Sequence, residues 1–81
     1  MESRASTRLV LYGRADCCLC DELALELGRL GVSFAKVDVD VDAALRARYG
    51  ARVPVLTAAD GRELTQGRFD PADLRARLGL E

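Results

Sequence analysis

The chain has 81 residues, enough for one small domain, with 49% of them hydrophobic and 31% charged. Its formal net charge is −1 and its arginines are scattered, which argues against a dedicated nucleic-acid binder. It contains no histidine, which excludes Ser-His-Asp and Cys-His catalysis within the chain and the commonest mixed zinc sites.

Residues 1–6 read as a frayed lead-in to a single domain spanning 1–81. No apolar segment of secretory type opens the chain, and no run of about 18 apolar residues is present. A cytoplasmic, reducing compartment is therefore the expectation, where clustered cysteines point to redox catalysis or metal rather than structural disulfides. Leu9-Val10-Leu11-Tyr12 is a continuous apolar run ended by Gly13, the pattern of a buried strand. After Cys17-Cys18-Leu19-Cys20, Leu23, Leu27 and Leu30 recur at helical spacing with Ala24 on the same stripe. Gly31 stands where a helix C-terminal cap is expected. Val32 to Val39 gives a second strand, with Phe34 as a core residue. Asp40 or Asp42 caps a second helix that runs to about Tyr49 and is closed by Gly50. Val53 to Thr57 is a third strand, Asp60-Gly61 a turn signal, and Arg62 to Gln66 an antiparallel return strand. Asp70-Pro71-Ala72-Asp73 opens a last helix, with an aspartate at the N-cap and proline at the first helical position. Leu74 and Leu78 form its apolar face. The order is β-α-β-α-β-β-α. Crossovers through helices imply that the first three strands run parallel, and the last two form a hairpin. The fold class is α/β, a four-stranded mixed sheet with helices on its faces.

The cysteine motif carries the chemistry. Cys17 and Cys20 form a Cys-x-x-Cys pair at a strand-to-helix junction. The first turn of a helix presents unpaired backbone N–H groups and the positive end of the macrodipole, which favours a negative charge there. Only a thiolate attacks a disulfide. Cys20 lies one helical turn beyond Cys17, more buried and close enough to bond with it. Cys17 would attack a substrate disulfide, and Cys20 would then resolve the mixed disulfide. Cys18 is read as a bystander that sets local sterics, with a role as an alternative disulfide partner left open. The charges of Asp16 and Asp21, which flank the motif, oppose a thiolate. A Cys-x-x-Cys is also half of a zinc site, but there is no second pair and no histidine, so no metal ligands are assigned.

Cys17-Cys18-Leu19-Cys20 and Arg52-Val53-Pro54-Val55, about 35 positions apart in this element order, resemble the glutaredoxins of the thioredoxin-fold superfamily. More narrowly they resemble small bacterial glutaredoxin-like proteins with a Cys-x-Leu-Cys motif. The resemblance covers about Arg8 to Leu78. It implies a thioredoxin-like fold and a disulfide oxidoreductase acting through Cys17 and Cys20. It implies a cis Val53–Pro54 peptide bond facing the cysteines, with the Val53 backbone free to pair with an extended disulfide-bearing peptide. It also implies substrate or glutathione contacts at Arg14, Cys18, Leu19, Gly67 and Asp70. Several of these depart from the family pattern. Arg14 stands where a lysine is usual, Leu19 replaces a tyrosine, Cys18 a proline, and Arg68 the second glycine of the Gly-Gly-x-Asp turn. Asp70 is fully accounted for as a helix cap. The partners implied are a disulfide-bearing protein or glutathione, and a thiol reductant or reductase. The expectation is no tightly held cofactor, glutathione as a candidate co-substrate, and a monomer that engages neither nucleic acid nor membrane. Two other readings remain: an iron–sulfur or glutathione-binding module, and a non-catalytic thioredoxin-fold adaptor.

Overall fold

The computed structural model describes residues 9–79; the expected frayed lead-in, residues 1–6, lies outside them. The elements are β1 (Leu9–Gly13), α1 (Cys18–Arg29), β2 (Phe34–Asp38), α2 (Ala43–Tyr49), β3 (Val55–Thr57), β4 (Glu63–Gln66) and α3 (Pro71–Arg77). Single 3-10 turns at Val39–Val41 and Gly50–Arg52 flank α2.

The four strands form one sheet in the order β2-β1-β3-β4. The continuous apolar run of β1 fits its place inside the sheet, where both faces are covered. Leu9 and Leu11 point to one face, with Leu23 and Leu27 of α1, Leu56 of β3 and Leu74 of α3. Tyr12 packs on the opposite side, with Val39, Leu45, Tyr49, Val53 and Val55. Two layers therefore cover the sheet: α1 and α3 on one face, and α2 with its flanking turns on the other. The alternation of the strand side chains divides the core between them.

The helix ends follow the expected chemistry. Past α1, the Gly31 N–H donates to the Gly28 carbonyl at 3.1 Å and the Val32 N–H to the Leu27 carbonyl at 3.1 Å. This pair of bonds is a Schellman closure, and Gly31 takes the positive φ of 73° that it requires. Asp42, rather than Asp40, caps α2 by accepting from the Ala44 and Leu45 N–H groups. Asp70 caps α3 by accepting from the Asp73 N–H. The Asp60-Gly61 turn also forms, with the Gly61 N–H on the Ala58 carbonyl at 2.9 Å.

One expectation is overturned. β2 runs parallel to β1, but β3 runs antiparallel to it, with Leu11 opposite Leu56. The guanidinium of Arg14, just past β1, shows why. It donates to Asp40, ahead of α2, and to the carbonyl of Gly50, behind it. The chain therefore leaves β2 and returns toward β3 at the same end of the sheet, and a strand that re-enters there must run backwards. Strand limits also contract. β2 begins at Phe34 rather than Val32, β3 at Val55 rather than Val53, and β4 at Glu63 rather than Arg62. β3 and β4 pair as the expected hairpin, with a bulge beside Leu56 and Thr57.

Candidate functional site: a cysteine pair at a helix N-terminus

Cys17 is the N-cap of α1. Its backbone is extended, with φ −121° and ψ 108°, and its side chain does the work that serine or aspartate does elsewhere. The sulfur accepts the Cys20 backbone N–H at 3.1 Å. One of the unpaired donors of the first turn thus points at Cys17 Sγ, an arrangement that favours negative charge on that atom.

The three cysteines are free, and they differ in access. Cys17 is partly exposed, Cys18 exposed and Cys20 buried. An incoming molecule can reach Cys17, while Cys20 waits behind it with no accessible surface. Burial, together with a hydrogen bond to Cys17, pushes the Cys20 thiol up to about 11 from an ordinary value of 9.0. The Arg14 backbone N–H and the Lys36 charge act in the opposite direction. Cys20 is thus held as a thiol near neutral pH, hydrogen-bonded to its partner sulfur.

The second anchor lies at the same end of the sheet. Tyr12 is paired with Val55, so the residue before Val55 falls beside the end of β1 at Gly13. The Val53–Pro54 peptide bond is cis, as the resemblance implied. Pro54 is buried and Val53 half-buried. The Gly67 N–H donates to the Pro54 carbonyl at 2.8 Å, which draws the turn after β4 against this loop. Arg52 fixes the loop from the other side. It donates to Glu63 at 2.7 Å, to Gln66 at 2.7 Å and to the Arg48 carbonyl at 2.9 Å.

Of the residues singled out in the sequence, Cys17 and Cys20 meet directly, and Pro54 and Gly67 are bonded to each other. Cys18 is exposed and Leu19 half-buried on the first turn of α1. Asp70 caps α3. Arg14 is engaged within the fold, on both oxygens of Asp40 and on the Gly50 carbonyl. Among the flanking acids, Asp16 is exposed, and Asp21 stands 3.8 Å from Lys36. No group of three or more candidate ligands able to hold a metal occurs among the described residues.

Sequence reasoning missed the supports of the site. Asp40 enters as the partner of Arg14, and Arg52 as a clamp rather than only part of a motif. Both contacts span long stretches of chain and leave no local signal. Gly13 was read only as the end of a strand. Its buried position beside Cys20 gives it another meaning: a Cβ there would lie 2.8 Å from the Cys20 sulfur.

A family model described as a glutaredoxin-like domain (DUF836) matches residues 8–79. The chain belongs to the glutaredoxin-like domain family. Among solved structures, the crystal structure of target protein XcR50 from X. campestris is similar at 46% identity and a TM-score of 0.79, over 88% of this chain and 95% of that one. Protein Ne2328 from Nitrosomonas europaea is similar at 30% identity and a TM-score of 0.74, over 88% and 89% of the two chains. A glutaredoxin from Archaeoglobus fulgidus shares the fold, at 21% identity and a TM-score of 0.65 over 89% and 86%. No curated protein matches the sequence. This glutaredoxin-like domain therefore has a thioredoxin-like fold, and the fold suggests a redox function. No helix among its described residues is long and apolar enough to cross a membrane.

Proposed function

We propose that this glutaredoxin-like domain is a thiol–disulfide oxidoreductase that reduces protein disulfides or glutathione-mixed disulfides through Cys17 and Cys20. The observation that carries the reading is Cys17 Sγ at a helix N-cap. It accepts the Cys20 N–H at 3.1 Å and is partly exposed, with a buried thiol one turn behind it.

The reaction has two steps. The Cys17 thiolate attacks one sulfur of the substrate disulfide, and the other sulfur leaves with the electron pair and takes up a proton. Cys20, having lost its proton, then attacks Cys17 Sγ. The Cys17–Cys20 bond forms, the bond from Cys17 to the substrate breaks, and the second substrate sulfur leaves and is protonated. The substrate gains two electrons and the dithiol loses two. An external thiol, glutathione or a dithiol reductase, restores the reduced pair.

The half-buried backbone of Val53 is the docking edge for an extended peptide beside the disulfide. A protein disulfide suits this site better than glutathione alone. Two cations that flank the site, Arg14 and Arg52, already hold Asp40 and Glu63. One chain supplies both sulfurs, so a monomer suffices.

The test is reduction of a protein disulfide and of a glutathione-mixed disulfide, each coupled to an excess thiol reductant. Cys17→Ser is expected to abolish turnover. Cys20→Ser is expected to accumulate a mixed disulfide on Cys17, visible by intact mass. An unmodified protein inert toward both substrates with every thiol reductant would reject the reading.

A further inference from the structure

Gly13 has no conformational need to be glycine. Its φ is not among the positive values in the described chain, which fall at Gly31, Gly61, Gly67 and Gly79. What Gly13 supplies is space. A Cβ at this position would lie 2.8 Å from Cys20 Sγ and 3.1 Å from Cys20 Cβ. Both distances are inside van der Waals contact, which for heavy atoms begins at roughly 3.5 Å.

The strand cannot easily yield to such a group. β1 is hydrogen-bonded on both sides, to β2 and to β3, and Gly13 itself is in register with Asp38. The yielding atom would be the Cys20 sulfur, the free end of a short side chain. That sulfur sits in a defined seat. Gly13 leaves room on one side, and the Cys17 sulfur that the Cys20 sulfur must reach already accepts the Cys20 backbone N–H at 3.1 Å.

We propose that Gly13 is a positioning residue for the second step: its missing side chain sets the place from which Cys20 attacks Cys17. The proposal rests on the dithiol reading above. It separates the two halves of the reaction. Mixed-disulfide formation uses Cys17, its N-cap geometry and the Cys20 backbone N–H, and only the Cys20 thiol's hydrogen bond to Cys17 draws on the space at Gly13. Resolution uses the Cys20 sulfur, whose path to Cys17 Sγ depends on that space. A displacement of about 1 Å at a reacting atom is enough to slow such a step by orders of magnitude.

The experiment compares the unmodified protein, Gly13→Ala, Cys20→Ala and the double variant. A chromogenic aryl disulfide is the substrate, and a glutathione redox buffer poises the internal disulfide. Gly13→Ala is expected to form the mixed disulfide within about twofold of the normal rate, and to resolve it at least about tenfold more slowly. Its dithiol–disulfide equilibrium is expected to shift at least about threefold toward the dithiol, because the displaced sulfur closes the bond less well. In thermal unfolding, Gly13→Ala is expected to destabilise the protein when Cys20 is present and much less in the Cys20→Ala background, a non-additivity that marks direct contact. Should Gly13→Ala fail to fold, the double variant is expected to fold. Normal resolution with an unshifted equilibrium would overturn the proposal, as would equal destabilisation in both backgrounds or failure of both variants to fold. An unmodified protein that never forms a Cys17–Cys20 disulfide would remove the dithiol reading and this proposal together. Normal behaviour of Gly13→Ala in an active protein removes only the proposal.

Discussion

The two faces of the sheet are built from different materials. Beneath α1 and α3 lie six buried leucines, Leu9, Leu11, Leu23, Leu27, Leu56 and Leu74. The buried cluster on the α2 face is smaller, Val39, Tyr49 and Val55, and it is rimmed by guanidinium groups. Arg14 ties the end of β1 to both ends of the α2 segment, and Arg52 ties the loop before Pro54 to β4. The leucine face supplies most of the burial, and burial is what stabilises a small domain. The arginine face contributes less to stability and more to placement, because its contacts are directional and fix the loop after β1 and the loop before Pro54.

Substitutions can break this division in order of size. Leu27→Ala empties a fully buried site between α1 and the sheet, and is expected to cost about 2–5 kcal/mol in denaturant unfolding. Where the variant remains folded, its rate of mixed-disulfide formation should stay near normal, since Leu27 lies two turns from the motif. A large loss of that rate in a folded variant would show that the leucine face also shapes the site.

The next effect belongs to Cys20. An unfolded chain ionises this thiol near 9.0 and the folded chain near 11. Between those values the unfolded state holds fewer protons, so the reduced protein loses stability as pH rises from about 9 to 11, by on the order of 2 kcal/mol. Below pH 9 both states hold the proton and the effect vanishes. Unfolding at several alkaline pH values checks this, with Cys20→Ala as the reference whose slope should be shallower. Identical slopes would mean that the thiol ionises normally.

Smaller effects test the arginine face. Glu63→Gln removes the charge that Arg52 holds, and Arg14→Met frees Asp40 and the Gly50 carbonyl. Each is expected to cost less stability than Leu27→Ala, yet to lower turnover of a protein disulfide several-fold, because the loops lose their alignment. The arginines hold the carboxyls of Asp40 and Glu63 below their usual ranges. A depressed folded value contributes stability above the ordinary carboxylate pKa and loses it as pH falls through the folded value. The stability gap between the unmodified protein and Glu63→Gln should therefore close in acid, below about pH 4. A gap that persisted there would show that geometry, not charge, holds the clamp.

Much of this organisation was legible in the chain itself. The spacing of Cys17 and Cys20 equals a helical turn, Asp70-Pro71 is a local start signal, and Gly31 follows the last leucine of its stripe. Each involves neighbours within a few positions, and each forms where the pattern placed it. The cis Val53–Pro54 bond came through family resemblance rather than local chemistry. The direction of β3 has no local signal: it follows from the chain returning to the sheet at the end it left, which contacts of Arg14 with residues 26 and 36 positions away display. The clamp at Arg52 likewise joins residues 11 and 14 positions apart. Gly13 was visible but ambiguous, since a glycine that ends a strand and a glycine that makes room for a sulfur look the same in one dimension.

The aromatic pair on the arginine face has a practical use. Tyr12 and Tyr49 stack with ring centres 4.2 Å apart and planes 17° from parallel. They are the chain's two tyrosines, and it has no tryptophan. Near-ultraviolet absorption and emission therefore arise almost wholly from one contact, which joins β1 to the end of α2. Burial raises the phenol of Tyr12 above its ordinary value, with Tyr49 adding to the effect. An alkaline titration followed by tyrosinate absorbance would thus record the seating of α2 on the sheet, giving the protein an intrinsic optical gauge with no label attached.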